Sequence, residues 1–155
     1  MKKFLELGVV ILICQAVGAL GAVVTLPAIS GWYRGLEKPD WTPAAGLFGP
    51  VWTILYLMMA VAFWRVWQRR LEPGARRACV LFAVQLVLNS AWSWLFFGLR
   101  NPFFGLIDIV LLAGVLAWTV RVFLKVDRMA GFLMVPYLVW VLFASLLNFS
   151  LWRMN

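Results

Sequence analysis

Five long apolar segments constrain the fold of this sequence more than any other feature. They cover about 5–26, 46–67, 78–99, 103–124 and 129–152. At about 1.5 Å per residue, a helix formed by any of them is long enough to cross a hydrocarbon layer about 30 Å thick. No segment has the alternating pattern of a barrel strand. The sequence therefore predicts an all-α integral membrane protein, a five-transmembrane-helix bundle that forms a single domain over residues 1–155.

The composition agrees with a membrane protein and argues against a protein that binds nucleic acid. Of the residues, 65% are hydrophobic and 13% are charged, whereas a typical soluble domain has about 25% charged residues. The net charge is +8, but Lys and Arg cluster at the ends of the apolar segments. This pattern indicates contact with the lipid bilayer. We therefore expect the bilayer, and no nucleic acid, as a partner.

The distribution of basic residues also predicts the orientation. Ten of the 14 Lys and Arg residues lie at the N-terminus and around the second and fourth connections. The positive-inside rule then gives a multi-pass protein with a cytoplasmic N-terminus, expected in a bacterial cell membrane. Lys2 and Lys3 before an apolar run also resemble a signal peptide. The run continues to Leu26, which is long for such a peptide, so we expect a retained helix.

Polar and aromatic residues recur on one face of the third and fifth segments. The third segment carries Gln85, Asn89, Trp92 and Phe96, and the fifth carries Pro136, Trp140, Ala144 and Asn148. Residues at these spacings share a helix face, and polar side chains in lipid turn inward. Two interpretations stay open at this point. The stripes form interhelical hydrogen bonds and core packing, or they line a pocket with aromatic walls and a few polar groups.

Five of the ten tryptophans lie too deep in the segments to belong to an interfacial belt. They are Trp52, Trp92, Trp94, Trp118 and Trp140. A cavity walled by such rings would suit a large planar hydrophobic ligand, because aromatic rings offer wide flat contact surfaces.

Other residues within the spans fit structural roles. No second buried ionisable group in the spans is expected to accompany Asp108, so we expect this residue to hold the fourth helix to a neighbour by a hydrogen bond. In the first segment Gln15, Gly18, Ala22 and Thr25 share a face of mostly small residues. That face fits either close packing inside the bundle or the seam of a homodimer. A second face of the third segment, with Ser90, Ala91 and Trp94, is an alternative seam.

The chain lacks the residues of ordinary acid–base catalysis. It contains no histidine, so a His-ligated haem or zinc site is impossible. No Ser/His/Asp set or carboxylate pair is apparent either. We expect no required cofactor.

Several motifs resemble the translocator protein family, also called tryptophan-rich sensory proteins or peripheral-type benzodiazepine receptors. Residues 32–43 read Trp-Tyr-x-x-Leu-x-Lys-Pro-x-Trp-x-Pro, and residues 136–140 read Pro-Tyr-x-x-Trp. Asn-x-x-Trp at 89–92 and Trp-x-x-x-Ala-x-x-x-Asn at 140–148 add to the likeness, which covers essentially the whole chain. Ala44 replaces a second proline that many members have, so the exact path of the loop between helices 1 and 2 is open.

The resemblance implies an often dimeric bundle whose cavity binds porphyrins, such as protoporphyrin IX and haem, and hydrophobic drugs. Porphyrin is then a ligand rather than a cofactor, and a homodimer is expected. The loop would be an aromatic lid over the cavity. The ligand-binding residues carried over are Trp32 and Trp41 in the lid and Trp52, Asn89, Trp92, Phe96, Trp140, Ala144 and Asn148 in the wall.

The resemblance leaves three functions open: a porphyrin receptor or sensor, a porphyrin or sterol transporter, and an enzyme of light- and oxygen-dependent porphyrin breakdown. The chain has no paired halves of the inverted-repeat kind, which counts against alternating access. If there is chemistry, Trp52 and Trp140 are the candidate catalytic residues. Lys38 or Arg34 would meet a porphyrin propionate, or Arg34 would pair with a nearby acidic residue. The cholesterol motif is only partly matched, with Phe149 where tyrosine is required, so cholesterol binding is not expected.

Overall fold

Five helices make up the computed structural model, which describes all 155 residues. The helices are α1 (Lys2–Ser30), α2 (Ala45–Gln68), α3 (Ala75–Ser93), α4 (Pro102–Val126) and α5 (Arg128–Met154). A π-helical turn, Trp94–Gly98, extends α3, and a short 3₁₀ helix, Trp32–Gly35, follows α1. All five helices are long and apolar enough to cross a membrane. The predicted all-α membrane fold is confirmed.

The first helix is longer than predicted at both ends. We expected it to end at Leu26, before Pro27, but α1 continues to Ser30. Pro27 has no N–H to bond the Val23 carbonyl one turn earlier, and membrane helices tolerate such a loss. In the last turn, the Ser30 hydroxyl donates to the Pro27 carbonyl at 3.1 Å and satisfies one of the terminal carbonyls of the helix.

Side-chain caps explain the sharp connections around α4. Asn101 accepts hydrogen bonds from the amides of Phe103 and Phe104 at 3.0 and 3.1 Å, and Pro102 occupies the first helical position. Asp127 alone separates α4 from α5 and accepts from the Ala130 amide at 2.8 Å. Since so short a connection forces the chain to reverse, α4 and α5 form a tightly packed antiparallel pair.

The helices are arranged so that α1 lies at one side of the bundle. α4 packs between α3 and α5, α2 packs on α5, and α1 contacts α2 and α3. The core includes Met59, Leu112, Phe123 and Tyr137. In contrast, α1 buries only Cys14, Gly21 and Ala28. α1 is therefore a peripheral helix, and most of its side chains lie outside the core.

An ion-pair cluster joins α2 to the α4–α5 turn at the end that holds the N-terminus. Arg65 donates two hydrogen bonds to the Asp127 carboxylate, both at 3.0 Å, and Arg69 Nε lies 3.1 Å from the same group. Burial alone would raise the pKa of Asp127. The hydrogen bonds from Arg65 and the Ala130 amide and the two arginine charges outweigh it and hold the pKa below its usual value. Asp127 is therefore ionised at neutral pH.

Candidate ligand-binding cavity

A cavity of about 430 Å³ lies between α1, α2 and α3, toward the end of the bundle that carries the 31–43 loop. Small residues of α1 form one side, and larger residues of α2 and α3 form the others. The lining consists of Gln15, Gly18, Ala19, Gly21, Ala22, Thr25, Leu26, Ile29, Ala45, Phe48, Gly49, Trp52, Thr53, Tyr56, Asn89, Trp92, Ser93 and Phe97.

Aromatic rings from α2 and α3 form the inner wall of this cavity. Phe48, Trp52 and Tyr56 follow one another at four-residue steps, so their side chains lie on one face of α2. The Trp52 ring lies 5.7 Å from the Tyr56 ring and edge-on to the Tyr137 ring at 6.0 Å. These contacts fix the orientation of Trp52. The inner wall is therefore aromatic and largely apolar.

A chain of hydrogen bonds behind the wall connects three helices. The Tyr56 hydroxyl donates to Asn89 Oδ1, and Asn89 Nδ2 donates to the Tyr137 hydroxyl at 2.7 Å. All three residues are buried. Asn89 thus joins α2, α3 and α5 and also lines the cavity. The two interpretations of the polar stripe, interhelical bonding and a pocket wall, both apply to this residue.

The polar groups that face the cavity are few and uncharged. Gln15 Nε2 donates to the Thr53 carbonyl at 3.1 Å, and the Thr25 hydroxyl donates to the Gly21 carbonyl at 2.8 Å. Trp52 and Ser93 line the cavity, and their polar side-chain atoms make no hydrogen bond within the protein. The cavity can therefore donate hydrogen bonds to a neutral ligand, but it has no cation to pair with a carboxylate.

A second cavity of about 30 Å³ lies behind Trp92, next to the 3₁₀ helix. It is lined in part by the predicted site residues Phe96, Ala144 and Asn148. Trp92 Nε1 donates to Asn148 Oδ1 at 3.0 Å, and Asn148 Nδ2 donates to the Pro102 carbonyl at 2.7 Å. Trp92 also lines the main cavity, so it separates the two spaces. The structure thus divides the predicted wall between two adjoining cavities.

The 31–43 loop packs on α3 through its aromatic residues. Trp32 lies edge-on to Phe96 at 5.6 Å, and Tyr33 lies 5.7 Å from Phe97. Tyr33 is buried, and this burial raises the pKa of its phenol. Lys38 Nζ donates to the carbonyls of Arg34 and Leu36 at 3.2 and 2.8 Å. Lys38 is thus engaged in holding the loop.

The expected ion pair between Arg34 and a nearby acidic residue is absent. Arg34 makes no ion pair with either Glu37 or Asp40, the two acidic residues of the loop. The Glu37 backbone is bound instead by the Asn155 side chain, which accepts from its N–H at 3.0 Å and donates to its carbonyl at 3.1 Å. Arg34 therefore remains an exposed, unpaired cation beside the cavity-side end of α1.

Three predicted site residues, Trp32, Trp41 and Trp140, line neither cavity. Trp41 is 49% exposed and packs edge-on against Phe143 at 5.7 Å. Trp140 packs edge-on against Phe48 at 6.0 Å, and its indole N–H is buried without a hydrogen-bond partner. Phe48 lines the main cavity, so Trp140 supports the wall from behind. Ligand contact by Trp32, Trp41 and Trp140 stays a prediction.

Two of the deep tryptophans face outward instead of walling a cavity. Trp94 is 46% exposed and Trp118 is 53% exposed. Depth along a helix alone does not determine which face carries a ring. The expected hydrogen bond from Asp108 to a neighbouring helix is also missing, because its Oδ2 is buried with no partner.

The main feature missed by the sequence-based assignment is the contribution of α1. Gln15, Gly18, Ala22 and Thr25 all line the main cavity, although their small-residue face was interpreted only as a packing surface or dimer seam. A Cβ on Gly18 would lie 2.6 Å from the Tyr56 ring, so this glycine does allow close packing. The presence of Gln15 and Thr25 among small residues was the available signal for a cavity.

Comparison with known proteins agrees with this architecture. The model of the TspO/MBR family matches residues 10–153. The tryptophan-rich protein TspO of Chlorobaculum tepidum is 44% identical over 158 residues, covering 99% of this chain and 98% of that protein. The protein of the same name from Archaeoglobus fulgidus is 40% identical, with 99% of each chain covered. The translocator protein of Homo sapiens is 39% identical over 127 residues, or 80% of this chain and 75% of that protein. The chain therefore belongs to the TspO/MBR family.

Proposed function

We propose that this protein is a membrane receptor or sensor that binds porphyrins, and other planar hydrophobic molecules, in the main cavity. The observation that carries the proposal is the cavity itself: about 430 Å³, walled by aromatic rings and free of charged side chains, in a membrane-spanning bundle. Ligand pockets in proteins typically have volumes of about 300–1,000 Å³ and mostly apolar walls with few polar groups. Relatives that carry the names translocator protein and tryptophan-rich sensory protein are consistent with this assignment.

The lack of charge in the cavity predicts how a porphyrin would be oriented. A carboxylate buried without a partner is strongly unfavourable. The two propionates of protoporphyrin IX would therefore extend out of the cavity toward the 31–43 loop. Arg34 is the better candidate to pair with them, because it has no ion pair of its own whereas Lys38 binds loop carbonyls.

The arrangement of the loop and the charges extends the proposal. The loop acts as an aromatic lid at the end of the cavity, supported by the contacts of Trp32 and Tyr33 with α3. The opposite end carries the ion-pair cluster and most basic residues, so the N-terminus is cytoplasmic in this proposal.

A homodimer would use the α3 face with Ser90 and Trp94, because the small-residue face of α1 lines the cavity.

Titration with protoporphyrin IX tests the proposed function. In detergent and in the dark, the intrinsic tryptophan fluorescence should be quenched saturably. Replacing Trp52 with Phe removes ring area and the free indole N–H, so the dissociation constant should rise about three- to tenfold, equivalent to about 1 kcal/mol. Trp118→Phe is the matched control, because Trp118 is 53% exposed on the outside of the bundle, and it should leave the dissociation constant unchanged.

The outcomes separate the candidate functions. Absence of saturable quenching in the unmodified protein would refute porphyrin binding. Equal effects of the two substitutions would refute the assignment to the main cavity. A repeat under light, with porphyrin absorbance as the readout, tests for breakdown: absorbance loss faster than in a protein-free control would add the oxidative activity to the binding function.

A further inference from the structure

We propose that ligands reach the main cavity from within the membrane, through a lateral opening between α1 and α2. This inference rests on the proposed binding function and adds a route and a ligand class to it. The lateral opening is defined by the cavity-lining residues that are also exposed on the protein surface. They are Ala19 and Leu26 of α1 and Ala45, Gly49 and Thr53 of α2.

The exposure pattern places the opening on one side of the cavity. All five exposed lining residues belong to α1 or α2, whereas every lining residue of α3 is buried or half-buried. A cavity open mainly at the loop end would have its exposed lining at one level of all three helices. The end near the loop is instead flanked by Tyr33, which packs on Phe97. The accessible path therefore runs sideways.

Helix geometry shows that the exposed residues form two facing edges. Ala45, Gly49 and Thr53 recur at every fourth position of α2 and so lie along one edge. Ala19 and Leu26 lie on the same edge of α1 as Gln15. The hydrogen bond from Gln15 Nε2 to the Thr53 carbonyl, at 3.1 Å, joins the two edges and closes the opening at its deep end.

Most residues along the opening are small. Ala19, Ala45, Gly49 and Thr53 have small side chains, and Leu26 is the one large residue. A Cβ at Gly49 would have no atom within 4 Å. From Ala45 to Thr53 the opening extends eight residues, about 12 Å along α2. This length covers much of one leaflet of a hydrocarbon core about 30 Å thick. A lateral opening of this length would therefore face acyl chains along much of its extent.

The chemistry of the cavity also favours ligands that dissolve in lipid. A molecule that enters from acyl chains must have an uncharged body that dissolves in lipid, and no charged side chain lines the cavity. Carboxylates are tolerated only at an edge that stays near the membrane surface. The ligand class is thus a membrane-dissolved, planar, mostly apolar molecule that carries any charge at one end.

Binding kinetics with a matched pair of variants test the lateral opening. Gly49 and Gly46 both lie in the first turns of α2, both are exposed, and neither would have an atom within 4 Å of an added Cβ, but only Gly49 lines the cavity. The protein is placed in lipid nanodiscs, and stopped-flow fluorescence follows protoporphyrin IX binding. Gly49→Phe should slow association and dissociation by a similar factor, about tenfold, with the dissociation constant within about twofold. Gly46→Phe should change neither rate.

Any of three results would overturn the lateral route. The first is unchanged rates in Gly49→Phe. The second is weaker affinity at an unchanged association rate, which would mean that the new side chain only fills part of the cavity. Equal slowing by Gly46→Phe would also contradict it, because that residue lies outside the lining.

A second measurement tests, in the absence of any ligand, whether the cavity is accessible from the lipid. A nitroxide is attached at Ser93→Cys, inside the cavity, after replacement of Cys14 and Cys79 by alanine. Molecular oxygen, which dissolves in lipid, should relax the label more than a water-soluble nickel chelate, and Gly49→Phe should reduce the oxygen effect. Stronger relaxation by the chelate would refute the lateral opening. If porphyrin does not quench the unmodified protein, the proposed function fails, yet the label still decides whether the cavity opens to lipid.

Discussion

Replacement of Asn89 by leucine is the sharpest test of the hydrogen-bond chain behind the cavity wall. Asn89 accepts from Tyr56 and donates to Tyr137, and both bonds are lost in the variant. Interhelical hydrogen bonds in membranes contribute about 0.6 kcal/mol each. The Tyr137 hydroxyl, whose residue is fully buried, is also left without a partner, at a cost of about 1–3 kcal/mol. We therefore expect the free energy of unfolding to fall by about 2–4 kcal/mol.

A double-mutant cycle measures this coupling directly. Unfolding is followed by far-ultraviolet circular dichroism as SDS is titrated into protein in mild detergent, for Asn89→Leu, Tyr137→Phe and the double variant. Each single change leaves one polar partner unsatisfied, whereas the double change removes both. The double variant should therefore lose about 1 kcal/mol less than the sum of the single losses. Agreement of the double loss with the sum to within about 0.3–0.5 kcal/mol would refute the bond.

Two further predictions concern the α4–α5 turn. Asp127→Asn keeps a capping oxygen but removes the charge, and should lower the free energy of unfolding by about 1–2 kcal/mol at pH 7, since the partner arginine side chains are 36% and 45% exposed. Because the folded pKa of Asp127 is lowered from 3.8, this contribution is complete above the unfolded pKa and disappears as the pH falls through the folded pKa. The thermal unfolding of the two proteins should therefore converge only on the acid side of 3.8. A difference that stays constant with pH would contradict the ion pair. Gly131→Ala should lower the free energy of unfolding by about 1–3 kcal/mol in the same SDS titration, because its Cβ would lie 2.8 Å from a backbone nitrogen of α4. Gly114→Ala is the control: its Cβ would have no atom within 4 Å, so the change should be neutral or stabilising. Equal effects of the two substitutions would refute close packing at Gly131.

Much of the candidate site could be predicted from the sequence, because helical spacing places residues on faces. Asn89 and Trp92 of α3 line the main cavity, and Ala144 and Asn148 of α5 line the smaller one. Helical spacing could not determine where each face points in the bundle. Trp94 and Trp118 face outward for that reason, and the α1 face was interpreted as a seam.

The hydropathy pattern by itself determined the number and type of the elements. Backbone groups in lipid must bond within their own helix, so five apolar segments of about 20 residues leave one secondary structure available. Local residues also set the connections: Asn101 caps α4, and Asp127 caps α5. These outcomes depend on neighbours in sequence and therefore need no knowledge of the packing.

Only the tertiary structure decided where space remains inside the bundle. The cavity lies beside α1, which approaches Tyr56 closely at Gly18 and Ser93 at Gly21 and leaves a space next to its other small residues. Such a gap depends on the relative positions of three helices that are distant in sequence. Lipid is as apolar as the helix surfaces, so hydropathy does not distinguish a face against another helix from a face against acyl chains. The fit of side chains between helices determines which face packs on another helix and which face contacts lipid.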